Sequence, residues 1–278
     1  MQCDVFSTTP TGGNGLAVVL DGDGLDDDTM QAFARWTNLA ETTFVCPPSD
    51  PVADYDIRIF TASRELPFAG HPTLGTATCW LAAGNTPKQA GVIRQNCGVG
   101  IVEIDLTGDT PAFIAPPTAI TDMPQADVAL IADALNLDPS RIKNHAVLDN
   151  GPVWHAIEMT DADDLLTLDA SAITPIKGYA VGLIALHHSL EVDADFEVRM
   201  FSMWGELKED PITGSLNAAL SHWIQAQKRM SRHLTIAQGT CIGRHGRVHV
   251  IPTLADLDHG PVRIGGHTNI LIEGHVTL

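Results

Sequence analysis

Two segments of this chain place an ionisable side chain, then proline, then threonine, glycine and small residues ahead of an apolar run. They are Ala69-Gly70-His71-Pro72-Thr73-Leu74-Gly75-Thr76-Ala77 and Asp210-Pro211-Ile212-Thr213-Gly214-Ser215-Leu216-Asn217-Ala218. His71 and Asp210 are 139 positions apart (210 − 71), half of the 278 residues. Proline is tolerated at a helix start, and the free N–H groups there attract anions. The pattern predicts two helices, over residues 73–83 and 213–227, whose starts face a common anionic ligand. A third segment, Asn38-Leu39-Ala40-Glu41-Thr42-Thr43-Phe44, sets Glu41 between a helix end and an apolar strand. Partial desolvation of a carboxylate there suits it to proton transfer, and a helix-end or capping acid would read the same way. Taken alone, His71 reads as a buried or capping histidine and Asp210 as an N-cap. Ionisable groups at matching places in two halves argue instead for a proton donor and acceptor on opposite faces of one carbon.

These groups need elements to hold them. Residues 2–6, 16–20, 42–46 and 55–61 read as strands, and 26–37 as a helix with Met30, Phe33, Ala34 and Trp36 on its apolar face. The Asp26-Asp27-Asp28 run suits a solvated first turn. Gly84 suits the position just past the helix over 73–83. Further strands are expected over 92–95, 100–106 and 112–115. Ala115-Pro116-Pro117-Thr118 then interrupts any regular element and marks the best domain boundary. Beyond it the order restarts: a helix over 125–135, strands over 145–148, 154–159, 179–186 and 196–201, the helix over 213–227, and strands over 235–239, 248–252, 262–265 and 270–272.

Composition narrows the function classes. Apolar residues make up 44% of the chain, enough for sizeable cores, and no run of 18 apolar residues suggests a membrane span. The formal net charge of −18 argues against nucleic acid and anionic membrane surfaces as partners. Met1-Gln2-Cys3-Asp4-Val5-Phe6 has no basic and apolar leader pattern, and five cysteines without a C-x-x-C pair fit a reducing, cytoplasmic setting. Cys97-Gly98-Val99-Gly100 is followed by alternating residues, so it opens a strand and lacks the helix amides that would activate a thiol. His245 and His249 are too far apart on a strand to share a metal, and His187 and His188 point to opposite faces. Neither metal nor cofactor is expected.

The polar segments belong to longer blocks: Asp4-Val5-Phe6 with Gly13-Asn14, Glu41-Thr42-Thr43-Phe44, Arg58-Ile59-Phe60-Thr61 and Glu65-Leu66-Pro67-Phe68-Ala69-Gly70-His71-Pro72-Thr73. The second half adds Arg199-Met200-Phe201, Glu209-Asp210-Pro211-Ile212-Thr213-Gly214-Ser215, Gln238-Gly239 with Gly243-Arg244, and Val262-Arg263-Ile264-Gly265-Gly266. With these blocks the chain resembles the PhzF-like family of phenazine-biosynthesis isomerases and their relatives, which share the diaminopimelate-epimerase fold. The resemblance implies an α+β protein of two similar lobes. Each lobe is a mostly antiparallel sheet wrapped around a central helix, with the active site in the inter-lobe cleft. The N-terminal lobe would span 1–116, joined by a returning C-terminal strand over about 269–278, and the C-terminal lobe 117–268.

By the same resemblance, Glu41 is the general acid/base, while His71 and Asp210 position substrate and share protons. Gly70, Thr213, Gly214 and Ser215 hold the substrate carboxylate, and a homodimer is implied. The thiols of related epimerases and racemases have no counterpart at either helix start, so two-thiol racemisation is not expected. Gly13-Asn14-Gly15 replaces the usual Gly-Asn-Pro, Ala40 replaces a serine before the glutamate, and Asn217 stands where a small residue is commoner. The expected activity is therefore a cofactor-independent isomerase that relocates a proton within a small carboxylated metabolite. The alternatives are a lyase or hydratase with the same acid/base set, and a non-catalytic small-anion or protein-binding module.

Overall fold

Alternating and apolar runs become strands throughout a computed structural model that describes residues 1–204 and 207–278. From the N-terminus come β1 (Gln2–Val5), β2 (Asn14–Val19), α1 (Asp27–Thr37), β3 (Glu41–Cys46), β4 (Tyr55–Phe60), β5 (Glu65–Leu66), α2 (Gly70–Ala82), β6 (Val92–Cys97), β7 (Gly100–Asp105) and β8 (Ala112–Ile114). Then follow β9 (Ala119–Thr121), α3 (Gln125–Ala134), β10 (Ile142–Asp149), β11 (Val153–Met159), α4 (Ala162–Leu166), β12 (Ala180–Leu186), β13 (Phe196–Ser202), β14 (Lys208–Glu209), α5 (Gly214–Ala226), β15 (Leu234–Gln238) and β16 (Gly246–Pro252). The chain closes with β17 (Val262–Gly265) and β18 (Thr268–Ile272). The protein is α+β and dominated by sheet. No helix among the described residues is long and apolar enough to cross a membrane.

Two units divide the chain: Met1–Ile114 with Arg263–Leu278, and Ala115–Val262. In the first, strands pair in the order β18-β1-β2-β3-β4-β6-β7-β8-β17, with β5 on the flank of β4. Only β2–β3 and β4–β6 are parallel. Helix α2 packs on β1, β2, β3, β8 and β18 and is buried at ten of its thirteen positions. Such close packing needs Gly75, where an added Cβ would lie 2.6 Å from Leu16 Cδ2. α1 instead covers one face. Asp26 caps it, accepting from the Thr29 N–H at 2.8 Å, and Met30 and Ala34 join Phe44 and Phe60 in a small core.

The second unit pairs β9-β10-β11-β12-β13-β15-β16, with β14 on the flank of β13. Again two pairs are parallel, β11–β12 and β13–β15. Helix α5 is buried like α2, and here the glycine making room is on the sheet: a Cβ on Gly182 would lie 2.6 Å from Leu216 Cδ1. A core of Ile131, Ile157, Leu165, Leu183 and Phe201 fills the opposite side. Cys97 to Gly100 forms the turn between β6 and β7, with Gly100 at φ 92° and no helix after it.

The helix starts correct the spacing read from sequence. α2 begins at Gly70, three residues before the expected position, because Gly70, His71 and Pro72 already take the first turn and the Thr73 N–H donates to the Ala69 carbonyl at 3.2 Å. α5 begins at Gly214, with Thr213 as its N-cap. Counted from these starts, Gly70 matches Gly214 and Glu65 matches Glu209, both 144 apart (214 − 70, 209 − 65). His71 therefore corresponds to Ser215, and Asp210 to Leu66; the two ionisable groups are not equivalents, as the spacing of 139 suggested.

An ion pair marks the true frame. Arg58 on β4 pairs with Glu65, and Arg199 on β13 with Glu209; each guanidinium makes two hydrogen bonds to its carboxylate and lies about 5 Å from a ring, Phe60 or Phe201. Each pair ties its strand to the segment that enters the buried helix. Their surroundings differ. The first pair is exposed (29% and 43%) and Arg58 also bonds Asp27, while the second is almost fully buried (2% and 6%). Removing one partner of a buried pair strands a charge at about 3–5 kcal/mol, whereas exposed pairs contribute about 0–1 kcal/mol. Glu209→Gln should therefore lower the urea-unfolding free energy by several-fold more than Glu65→Gln, and equal losses would contradict the burial difference.

Candidate active site

In the first unit the polar residues meet at the start of α2. Asn38, at φ 53°, ends α1, and the chain enters β3 at Glu41, whose backbone pairs in parallel with Leu16 of β2. This leaves the Glu41 side chain mostly buried, 16% exposed, where the first turn of α2 presents His71, 7% exposed. His71 Nε2 lies 3.1 Å from Glu41 Oε2, at hydrogen-bond distance, although the ring nitrogen is not aligned on the carboxylate. Burial pushes the His71 imidazole down to about 3, so it is neutral at physiological pH. A neutral imidazole has one donor and one acceptor nitrogen, which lets it serve a carboxylate or a carboxylic acid. Nearby, buried Asp4 accepts from the Gly13 N–H at 2.6 Å and fixes the entry to β2, where a Cβ on Gly13 would lie 2.1 Å from the Val5 carbonyl oxygen.

In the second unit Asp210, Thr213, Gly214 and Ser215 gather at the start of α5. The Thr213 hydroxyl donates to Asp210 Oδ2 at 2.5 Å. Burial pushes the Asp210 carboxyl above its usual range, and this hydrogen bond opposes that rise. The Thr213 N–H is already given to Gln238 Oε1 at 3.0 Å. Of the amides expected to bind a carboxylate, those of Gly214 and Ser215 thus remain, in a first turn that no side chain caps. The first turn of α2 is likewise uncapped by any side chain.

Sequence reading singled out the ionisable residues and missed two glutamines. Gln95 on β6 donates to Thr73 Oγ1 at 3.0 Å and accepts from the Tyr55 hydroxyl at 3.2 Å. Gln238 on β15 accepts from Asn217 Nδ2 at 2.8 Å. Thr73 and Asn217 are both the fourth residue of their helix, and β6 and β15 are both the parallel neighbour of the arginine strand. For Gln238 the available signal was a glutamine ending the largely apolar run Leu234–Gln238, since a buried polar group there must find partners; Gln95, between Arg94 and Asn96, gave none. Among the described residues no three His, Cys, Asp or Glu side chains are grouped to hold a metal ion.

A family model described as phenazine biosynthesis-like protein, PhzC-PhzF, matches residues 3–274. The chain belongs to the PhzF family. It is 32% identical over 284 residues to the trans-2,3-dihydro-3-hydroxyanthranilate isomerase of Pseudomonas aeruginosa, covering 99% of this chain and 98% of that protein. An "uncharacterized isomerase" of Mesorhizobium japonicum is 35% identical over 299 residues, covering 99% and 97%. Among solved structures, the PhzF-family phenazine biosynthesis protein of Bacillus anthracis superposes with a TM-score of 0.85 at 23% identity over 100% of this chain and 98% of that one. A protein of Agrobacterium radiobacter described as a "probable proline racemase" shares the fold more distantly, with a TM-score of 0.62 at 14% identity, covering 100% and 92%. This PhzF-family chain is an isomerase.

The neutral His71 of this isomerase has a consequence for stability. Its folded value of about 3 lies below the ordinary 6.5, so on acidification the unfolded chain takes up a proton that the folded chain refuses. The contribution is whole above about pH 6.5 and is lost as pH falls from there toward 3. Urea midpoints should fall less steeply over that window in His71→Asn than in the wild type, and parallel curves would show that His71 is charged in the fold.

Proposed function

We propose that the protein relocates a proton within a small carboxylated substrate, without a cofactor, through Glu41 as general acid/base. The observation that carries this reading is the Glu41 carboxylate held 3.1 Å from a buried, neutral His71 at an uncapped helix start. In the first step the Glu41 carboxylate removes a C–H proton, and the electron pair delocalises through the substrate toward its unsaturated or carboxyl end. In the second, the Glu41 carboxylic acid, whose O–H exchanges with solvent, delivers a proton to a different carbon, so in H2O substrate and product have the same mass. A small turn of the His71 ring would let Nε2 donate to the carboxylate in one neutral tautomer, or accept from the carboxylic acid in the other.

Asp210 is the second polar group on the substrate, and the Gly70, Gly214 and Ser215 backbone groups hold its carboxylate, as helix starts favour. Thr213 acts on Asp210 through its hydroxyl. The two units are read as the two lobes of the diaminopimelate-epimerase plan, each a sheet around a central helix, a reading supported by their repeated strand order. The unlike residues at corresponding places, His71 with Ser215 and Leu66 with Asp210, favour one-base relocation over symmetric racemisation.

The first compound to test is trans-2,3-dihydro-3-hydroxyanthranilate, the substrate named for the Pseudomonas aeruginosa relative, followed by other carboxylated metabolites. In D2O the wild type should wash deuterium into its substrate at constant carbon skeleton. Glu41→Gln should cut that exchange by about 10²–10⁴-fold while binding persists, the usual scale of general acid–base catalysis. Exchange that survives the substitution would assign the proton transfer to another group, and a product lighter by water or ammonia would make the enzyme a lyase.

A further inference from the structure

Gln238 lies in the interior of the second unit and bonds Asp210, Thr213 and Asn217 around the start of α5. Its Oε1 accepts from the Thr213 N–H at 3.0 Å and from Asn217 Nδ2 at 2.8 Å. Its Nε2 donates to the Asp210 carbonyl at 3.2 Å and to Thr213 Oγ1 at 3.1 Å. The amide cannot be turned over. A backbone N–H can only donate and a backbone carbonyl can only accept, so Thr213 N–H requires Oε1 and the Asp210 carbonyl requires Nε2. Asn217 is fixed the same way, since its Nδ2 also donates to the Thr213 carbonyl at 2.9 Å.

The direction of the remaining bond follows. Thr213 Oγ1 receives a hydrogen from Gln238, so its own hydrogen is free to go to Asp210 Oδ2, the acceptor 2.5 Å away. Gln95 in the first unit bonds Thr73 and Tyr55, and neither of these two bonds leads to a carboxylate. We propose that Gln238 is a positioning residue for Asp210: it makes the Thr213 hydroxyl an obligate donor to one carboxylate oxygen and leaves the other for the substrate.

The proposal rests on the role given to Asp210 above. Charged groups on the neighbouring elements are engaged elsewhere: Glu209 with Arg199, Glu197 with His187, and Arg247 with Asp193. Arg244, which follows the turn at Gly239, belongs to the same end of the unit and is kept unchanged in every variant below. Burial raises the Asp210 carboxyl and the Thr213 hydrogen bond opposes this, so a loosened hydroxyl should let it rise further.

The test is an NMR titration of the full-length protein with 13C-labelled aspartate carboxyls, the Asp210 signal being assigned by its loss in Asp210→Asn. Thr213→Val should move the Asp210 midpoint upward. Gln238→Met should also move it upward in the wild-type background and add nothing in the Thr213→Val background, because it acts through that hydroxyl. Gln95→Met, which removes the corresponding glutamine of the first unit, should leave the midpoint in place. A wild-type midpoint in Gln238→Met, or an equal further rise in the Thr213→Val background, would overturn the proposal. Should Gln238→Met not fold, Gln238→Leu removes the Nε2 donor without adding a charge and is judged by the same comparison. Deuterium exchange by Asp210→Asn is a separate measurement: if it equals the wild type, the role of Asp210 in the reaction falls, whatever the titrations show.

Discussion

Helices α2 and α5 are buried on nearly every side, so their ends cannot be left to bulk water. A buried polar group without a partner costs about 1–3 kcal/mol, and a helix start has several N–H groups in that position. Much of the surrounding architecture answers this constraint. An arginine on the adjacent strand grips the glutamate five residues ahead of each helix. A glutamine on the next strand, parallel to the first, reaches the fourth residue of the helix. Between these two anchors the first turn is held from both sides, and the amides that no side chain caps are the ones a carboxylate would meet.

The repeat and the asymmetry are consequences of the same frame. Arginine, glutamate, proline and glycine recur because they build the entry to a buried helix: Arg58, Glu65, Pro67 and Gly70 in one unit, Arg199, Glu209, Pro211 and Gly214 in the other. The residues between them are not needed for that task and differ: Leu66 and Asp210, Ala69 and Thr213, His71 and Ser215. The proposed chemistry falls on positions the frame leaves free, and on that reading stability and reactivity rest on different side chains within one short motif.

Burial also sets the proton chemistry. His71 is neutral because its ring is removed from water, and the Asp210 carboxyl is raised for the same reason. The strong negative charge of the chain has no part in this, since the two groups respond to local desolvation and to single hydrogen bonds. Thr213 shows how closely such a bond is controlled. Its N–H, its carbonyl and both roles of its hydroxyl are used within a few ångströms.

Much of this was legible in the chain. Strands such as Tyr55–Phe60 and Gly100–Asp105 announce themselves by alternation, α1 by its Asp26 cap and apolar face, and the proposed site residues Glu41, His71 and Asp210 by ionisable groups beside proline, glycine and apolar runs. Short elements such as β5, β14 and α4 did not, since two to five residues carry too little periodicity to register. The correspondence between the halves was also misread, because similar letters at a spacing of 139 stood for different places on the two helices. The sequence by itself determined most of the longer strands and helices and which residue types are available for acid–base work. Only the tertiary structure decided the register of the repeat, the meeting of Glu41 with His71, and the orientation of Gln238, because each depends on groups far apart in the chain whose distance and hydrogen-bond polarity no local pattern encodes.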